Sequence, residues 1–363
     1  MVAVSQDFAL GVEEELIAVD PATLALAHTG VDTLARMVVP EAIGFAHPDT
    51  YASLIELATP VSANAADAAT SLAGLRALAR EAGGTMIGAG VHPDGDMGDV
   101  VHVDEPRYAA IHAELRGLLR RTPTCATHVH VGMPDPETTI RVYNGLREHL
   151  PLLQALAANS PFQHGADSGL ATARALQFGS YPRAEIAPAF GSFAEFEAMV
   201  DGLVAAGDAV DYTFLWWDVR PHPRLGTVEV RAMDAQSALW SSVALAGLIH
   251  GLARAAAEEG PPPGGWTRRE VLMESSFRAA RDGLAATLLH DGALRPVPEI
   301  ARAAVARARP YARELGSDGA LDLVERILVE GNGADRQRAA FARGGMLAVL
   351  EQLAAETAAE LEA

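Results

Sequence analysis

The sequence predicts an α+β domain: an antiparallel or mixed sheet with helices on one side. Three observations carry this reading. The strand-like segments lie far apart in the chain, two of them are joined as a hairpin, and from Leu239 onward the pattern is almost entirely helical.

Residues 8–19 read as a strand, with three consecutive carboxylates inside an otherwise strand-like run. Tyr51–Thr59 reads as a second strand, ended by Pro60. Asn64–Ala82 is expected to be helical, with Asn64 as its cap and Gly83-Gly84 as its stop. Thr85–Val91 reads as a short buried strand ended by His92-Pro93-Asp94-Gly95. Pro106–Arg120 looks helical, Cys125–Met133 is a strand, and Pro134-Asp135-Pro136 breaks it. Glu137–Ala158 is helical, with Pro151 as a kink or break. Asn159–Ser192 is loop-rich, and loops of that length inside a compact domain are usually functional. Phe193–Val210 is a helix. A hairpin follows, with strands Phe214–Arg220 and Thr227–Met233 around the turn Pro221–Gly226. Gly260–Gly265 reads as a linker, and Thr267-Arg268-Arg269-Glu270 as a capping box opening the next helix. The acidic stretch Leu347–Ala363 is expected to pack with one face exposed, which is compatible with a homodimer.

The chain has 363 residues and 49% hydrophobic content, enough for a substantial core. It reads as a single domain over 1–363, with a sheet-bearing part at 8–233 and a mainly helical part at 239–363. No apolar run crosses a bilayer without interruption. Residues 1–7 lack a basic signal-peptide region. The lone Cys125 forms no internal disulfide, so the expected location is the cytoplasm. Acidic residues outnumber basic ones 47 to 28, and every basic residue is Arg. Nucleic-acid partners are excluded on charge, and Walker P-loop or Schiff-base lysine chemistry by the missing Lys. Any phosphate must be met by Arg, metal or backbone N–H groups.

Gly11-Val-Glu-Glu-Glu-Leu16 is the most informative segment. In a strand Glu13 and Glu15 share one face and Glu14 takes the other. Two carboxylates on one face repel unless a cation lies between them, and a hard divalent ion such as Mg²⁺ meets that need. A solvated edge strand is the plain alternative. Three further segments place polar groups in apolar strands. These are Glu56, the pair His128/His130, and the pair Glu229/Arg231, with Asp218 and Arg220 joining through the hairpin. One face carrying carboxylates, imidazole and guanidinium together is costly unless it binds something.

These segments resemble the type 2 glutamate–cysteine ligase family of carboxylate–amine ligases. The resemblance rests on Gly11–Glu15, Glu56–Pro60, Thr127–Gly132, Ala158–Phe162, Trp217–Pro223 with Gly226–Arg231, and Gly331–Arg338, in family order over nearly the whole chain. It implies a glutamine synthetase/guanido kinase-like fold, in which a curved antiparallel sheet forms a funnel that binds ATP and Mg²⁺. It implies metal ligands at Glu13, Glu15, Glu56, His130 and Glu229. Arg231 and Arg220 would act in catalysis, and Asp167, Arg174, His128 and Asp218 in substrate binding. Residues 163–170 and 175–185 depart from the family pattern, which expects a Trp and a Gly-Pro pair there. The resemblance therefore does not specify the acceptor amine. The implied reaction joins a carboxylate, with glutamate as first choice, to cysteine or another small amine through an acyl phosphate. Two other readings stay open. His128-Val129-His130 alone resembles the His-x-His of a metal-dependent amidohydrolase barrel, and the chain could bind a nucleotide or amino acid without turnover.

Overall fold

A computed structural model describes residues 7–121, 123–207, 209–261, 265–290 and 292–360. Its centre is a sheet of seven strands among the described residues: β1 Leu10–Ala18, β2 Phe45–Pro48, β3 Leu54–Ala58, β4 Met86–Ile87, β5 Ala126–Gly132, β6 Val219–His222 and β7 Thr227–Asp234. They order β6-β7-β5-β1-β3-β2, with β4 also on β1, and every pairing is antiparallel. This is the predicted α+β architecture. It has no alternation of parallel strands and helices, which removes the barrel on which the amidohydrolase reading rests.

Strand alternation decides which face is core. Val12, Val129, Val131, Val228 and Val230 are all buried in one apolar cluster. Against that face pack α1 (Ala65–Glu81), α2 (Pro136–Arg147), α3 (Leu150–Ala157) and α5 (Leu239–Glu259); the short α4 (Ala173–Phe178) lies beside the other face. Helix α5 is apolar and long enough to cross a membrane by composition alone, yet 89% of its most apolar window is buried inside the protein, as expected of a core helix. The C-terminal α6 (Gly333–Ala358) buries Val349, Leu350 and Leu353 in a second cluster with Ile17 and Ile87. It changes direction at Gly344 and Gly345, and Gly345 is left-handed at φ 69°.

Several sequence expectations shift on folding. Asn64 caps α1 as expected, its side chain accepting the Ala66 and Asp67 N–H groups. Pro151 divides the long helix into α2 and α3. The strand expected over 85–91 shrinks to Met86–Ile87, and Pro106–Arg120 is helical to Leu115 and then 3-10. The first hairpin strand is broken at Asp218: Trp216–Trp217 pairs in parallel with Ala184–Glu185, and only Val219–His222 joins the main sheet. Thr267 is no helix cap. Its N–H and hydroxyl bond the Glu148 carboxylate, and the next helix starts at Arg269. Residues 262–264 of the predicted linker, 1–6, and 361–363 of the acidic stretch lie outside the described residues.

Glu14 is fully buried on the core face, where a lone carboxylate would be costly. Arg76 of α1 meets it with two 2.9 Å bonds, and Ser242 of α5 adds a third at 2.5 Å. The remaining Arg76 donors reach the Ser237 and Gln236 carbonyls at 2.7 and 2.8 Å. The pair ties the sheet to two helices with its polar atoms satisfied. Removing one partner strands the other charge, so Arg76→Met should cost about 3–5 kcal/mol. A lower urea midpoint at unchanged slope checks this, and a loss below about 1 kcal/mol would contradict it.

Candidate active site

The register of the sheet assembles the site. Glu13 stands opposite His128, Glu15 opposite Glu56, and His130 opposite Glu229, with Arg220 opposite Glu229 on the far side. Directly opposed residues in antiparallel strands share a face, so five strands deliver one continuous polar surface. A register shift between Val230 and Met233 follows, and there the Arg231 N–H donates to the Asp218 carbonyl at 2.7 Å. Arg231, two residues on from Glu229, lines the same cavity. The cavity has a volume of 340 Å³. The sheet walls it on one side, with α4 and the segment Arg107–Leu119 around it.

Two groups of ligand atoms converge there among the described residues. Glu13, Glu56 and His128 place one donor atom each within 4.8 Å of one another, and Glu13, His130 and Glu229 do the same. Glu13 belongs to both. Its carboxylate lies 3.2 Å from His128 Nδ1 and 3.3 Å from His130 Nε2, and Glu229 lies 3.8 Å from that same Nε2. His130 Nδ1 is held by the Thr227 hydroxyl at 3.0 Å. Its buried Nε2 has no hydrogen-bond partner among the described residues. Oriented at one nitrogen and open at the other, the ring fits a metal ligand. Carboxylate-rich donor sets of this kind suit Mg²⁺ or Mn²⁺ better than thiophilic metals.

The carboxylates respond in opposite directions. Burial would raise Glu13, but the charge of His130, with the hydrogen bond and charge of His128, outweighs it and holds it well below the usual range. Burial likewise opposes ionisation of Glu229, and Arg220, Arg231 and His130 prevail, leaving it lowered. Glu56 has no such help. Burial, then Glu13, Glu15 and Asp49, push it well above the usual range. Glu15 is pushed up to about 8 by burial and Asp49. Burial and Arg231 bring His128 down to about 4, so it is a neutral ring at pH 7, the form a metal takes. The site thus lacks positive charge on its Glu15–Glu56 side, where a divalent cation would supply it.

The structure brings together most of the residues singled out in the sequence, with changed emphasis. Glu13, Glu56, His130 and Glu229 fall in the two groups, and His128 joins them rather than standing apart for substrate. Glu15 lines the cavity but lies outside both groups, accepting the Ala126 N–H at 2.6 Å. Arg231 ion-pairs with Glu229, and its Nε has no partner among the described residues. Arg220 is occupied: its Nε donates to Glu229 at 2.6 Å, and NH1 to the Thr213 and Leu215 carbonyls. It orients Glu229 and leaves Arg231 as the freer guanidinium. Arg174 lines the cavity, while Asp218 opens onto an adjoining one. Asp167 does not reach the site. It is exposed and held by Arg338 through two 2.9 Å bonds.

Sequence reading missed Asp49, Arg107, Tyr108 and His222, all lining the cavity. Asp49 sits in a connecting segment, where no strand period marks a face, and Arg107 at the start of the helix Pro106–Leu115, outside the sheet. The Ala158–Phe162 and Gly331–Arg338 motifs prove structural. Asp234 accepts from the Asn159 N–H and the Ser160 and Thr172 hydroxyls, fixing the start of the 159–192 loop. Gln337 bonds Asn159, and a Cβ at Gly333 would fall 2.0 Å from Asn159 Oδ1, so only glycine lets α6 dock there.

A family model described as glutamate–cysteine ligase family 2 matches residues 9–356. Two proteins of Rubrobacter xylanophilus are among the similar curated sequences. "Putative glutamate--cysteine ligase 2-3" is 41% identical, covering 98% of each chain. "Putative glutamate--cysteine ligase 2-1" is 38% identical over 93% of this chain and 91% of its own. In fold the chain is similar to a glutamate–cysteine ligase of Francisella tularensis solved with AMP, at TM-score 0.72 and 12% identity, covering 99% of this chain and 89% of that one.

The shared position of Glu13 gives a direct test. In Mn²⁺ titrations followed by the resonance of the free ion, Glu13→Gln should weaken both sites, Glu56→Gln one and Glu229→Gln the other. Wild-type-like binding by Glu13→Gln would contradict the two-site reading.

Proposed function

The chain belongs to glutamate–cysteine ligase family 2, whose members are ATP-dependent enzymes forming C–N bonds, and from that premise we propose that it activates a carboxylate as an acyl phosphate and passes the acyl group to an amine. The observation that carries the reading is the pair of donor groups sharing Glu13 on a sheet face walled into a cavity with Arg174 and Arg231. Glutamate, through its γ-carboxylate, is the first choice of acid, and cysteine or another small amine the first choice of acceptor, as the names of the relatives suggest.

Glu13, Glu56 and His128 would hold one Mg²⁺, and Glu13, His130 and Glu229 a second. Bound there, the ions supply charge neutralisation of the triphosphate that side chains alone cannot. Arg231, which lines the cavity, would meet phosphoryl oxygens with its guanidinium as charge develops in transfer. Arg220 keeps Glu229 ionised and oriented, as an ion pair buried on the sheet. In the first step a carboxylate oxygen attacks the γ-phosphorus, a C–O–P linkage forms, and ADP leaves with the bridging oxygen. In the second the amine nitrogen attacks the acyl carbon, the C–N bond forms, inorganic phosphate leaves, and nitrogen gives up its proton. The chain contains no lysine nucleophile, and positioning with electrostatic stabilisation suffices for this chemistry. Its localisation is proposed to be cytoplasmic, where ATP and free amino acids are supplied.

The test is ADP release with ATP, Mg²⁺, glutamate and a panel of amines, hydroxylamine included as a small trap. Amine-dependent ADP with a mass-matched amide is expected, and its absence with every amine would contradict the reading. Arg231→Met should lower kcat about 10²–10³-fold, as loss of one preorganised charge donor does, with folding intact by circular dichroism. Glu13→Gln should abolish turnover. An Arg231→Met variant of near-normal kcat would remove that residue from catalysis.

A further inference from the structure

A second cavity of 190 Å³ adjoins the first, and Arg174 and Phe178 line both. It is smaller than the ~300 Å³ lower end of pockets for drug-sized ligands, so a nucleotide cannot fill it but a small amine can. Its walls are mostly apolar: Leu176, Phe178, Ala232, Met273 and Phe277. Leu176 and Phe277 stand 41% and 43% exposed, large apolar side chains at its edge that a ligand would cover.

Two carboxylates also line it. Glu185 is paired with Arg269 at 3.2 Å. Asp218 carries no hydrogen bond or ion pair from its carboxylate among the described residues, although its backbone is locked between the Glu185 carbonyl at 3.0 Å and the Arg231 N–H at 2.7 Å. Glu185 itself is held at φ 70°, a left-handed conformation uncommon for a non-glycine residue and often kept at functional sites. A fixed, unpaired carboxylate among apolar side chains is a receptor for a cation with an apolar body. Arg174 forms the partition, 97% buried, with an Nε that has no partner among the described residues. Arg231 lines the cavity on the other side of that partition. Ala175, Gly179 and Gln154 complete this wall, with Ser276 beside them.

We propose that this cavity is the acceptor site, and that it takes a primary amine with a small aryl or branched alkyl body, its ammonium on Asp218 and its apolar part between Leu176, Phe178, Met273 and Phe277. The proposal rests on the ligase reading. It narrows the acceptor from any small amine to an apolar one, and disfavours cysteine, whose carboxylate would stand beside Asp218 and Glu185.

The test uses the full chain with AMP-PNP, Mg²⁺ and glutamate, titrated calorimetrically at pH 7 with phenethylamine, isoamylamine, cysteine and the uncharged 2-phenylethanol. The two apolar amines should bind best. A charge-assisted contact predicts that Asp218→Asn weakens phenethylamine about 10–100-fold and leaves 2-phenylethanol unchanged. Leu176→Arg, at the exposed rim, should weaken both. With ATP in place of the analogue, phenethylamine should show a lower KM than cysteine, and Asp218→Asn should raise that KM while leaving the KM for ATP unchanged. Equal phenethylamine binding by wild type and Asp218→Asn overturns the proposal, as does cysteine as the better acceptor. Hydroxamate formed from hydroxylamine in those same cases leaves the ligase reading standing. Asp218-dependent binding with no ADP from any amine overturns both.

Discussion

The convergence of Glu13, Glu15, Glu56 and Glu229 on one sheet face is the constraint that the rest of the molecule answers. Strand alternation and antiparallel register make it unavoidable: once β1 pairs with β3 and β5, Glu15 must face Glu56 and Glu13 must face His128. The protein answers on two sides. Around Glu229 it supplies Arg220, Arg231 and His130, and the carboxyl stays ionised. Around Glu56 and Glu15 it supplies too little, and both are driven upward. A face left short of positive charge on one side, with two carboxylate–imidazole groups on it, has a deficit that mobile cations would fill.

Glu14 shows the same chemistry resolved internally. One residue away on the same strand, it points into the core and meets Arg76 and Ser242 there. The contrast isolates what makes the other face a site. Burial is shared; complete pairing by protein groups is not. Positioning extends outward through Asp234, which pins the 159–174 segment and sets Arg174 between the two cavities. Sheet register, loop anchor and helix docking thus serve one arrangement of charges.

Much of this was legible in the sequence because period two is a strong signal. His128, His130 and Glu229 each sit in a strand whose alternate residues are apolar, and Glu13 shares its face with Glu15, so these faces could be read without coordinates. The break of the hairpin strand at Asp218 could not, and Asp218 lines a cavity other than the one to which Glu229 belongs. Asp49 lay hidden because its segment has no period to read, and Arg107 because it comes from a helix outside the sheet. Asp167 misled for the reverse reason: in a loop of polar residues and glycines, an acidic side chain paired with Arg338 on the surface looks like one that faces a substrate. Arg220 and Arg231 are equivalent in sequence, and only the count of their hydrogen bonds separates an orienting guanidinium from an available one.

The central claim is that this charged face exists to let a carboxylate attack the γ-phosphorus of ATP. Isotope transfer tests it most directly. With glutamate labelled by ¹⁸O in its γ-carboxylate, ATP, Mg²⁺ and an accepted amine, each turnover should move one ¹⁸O into the released inorganic phosphate. Amide formed with no label in phosphate would contradict the account, because the carboxylate would then never have bonded to phosphorus.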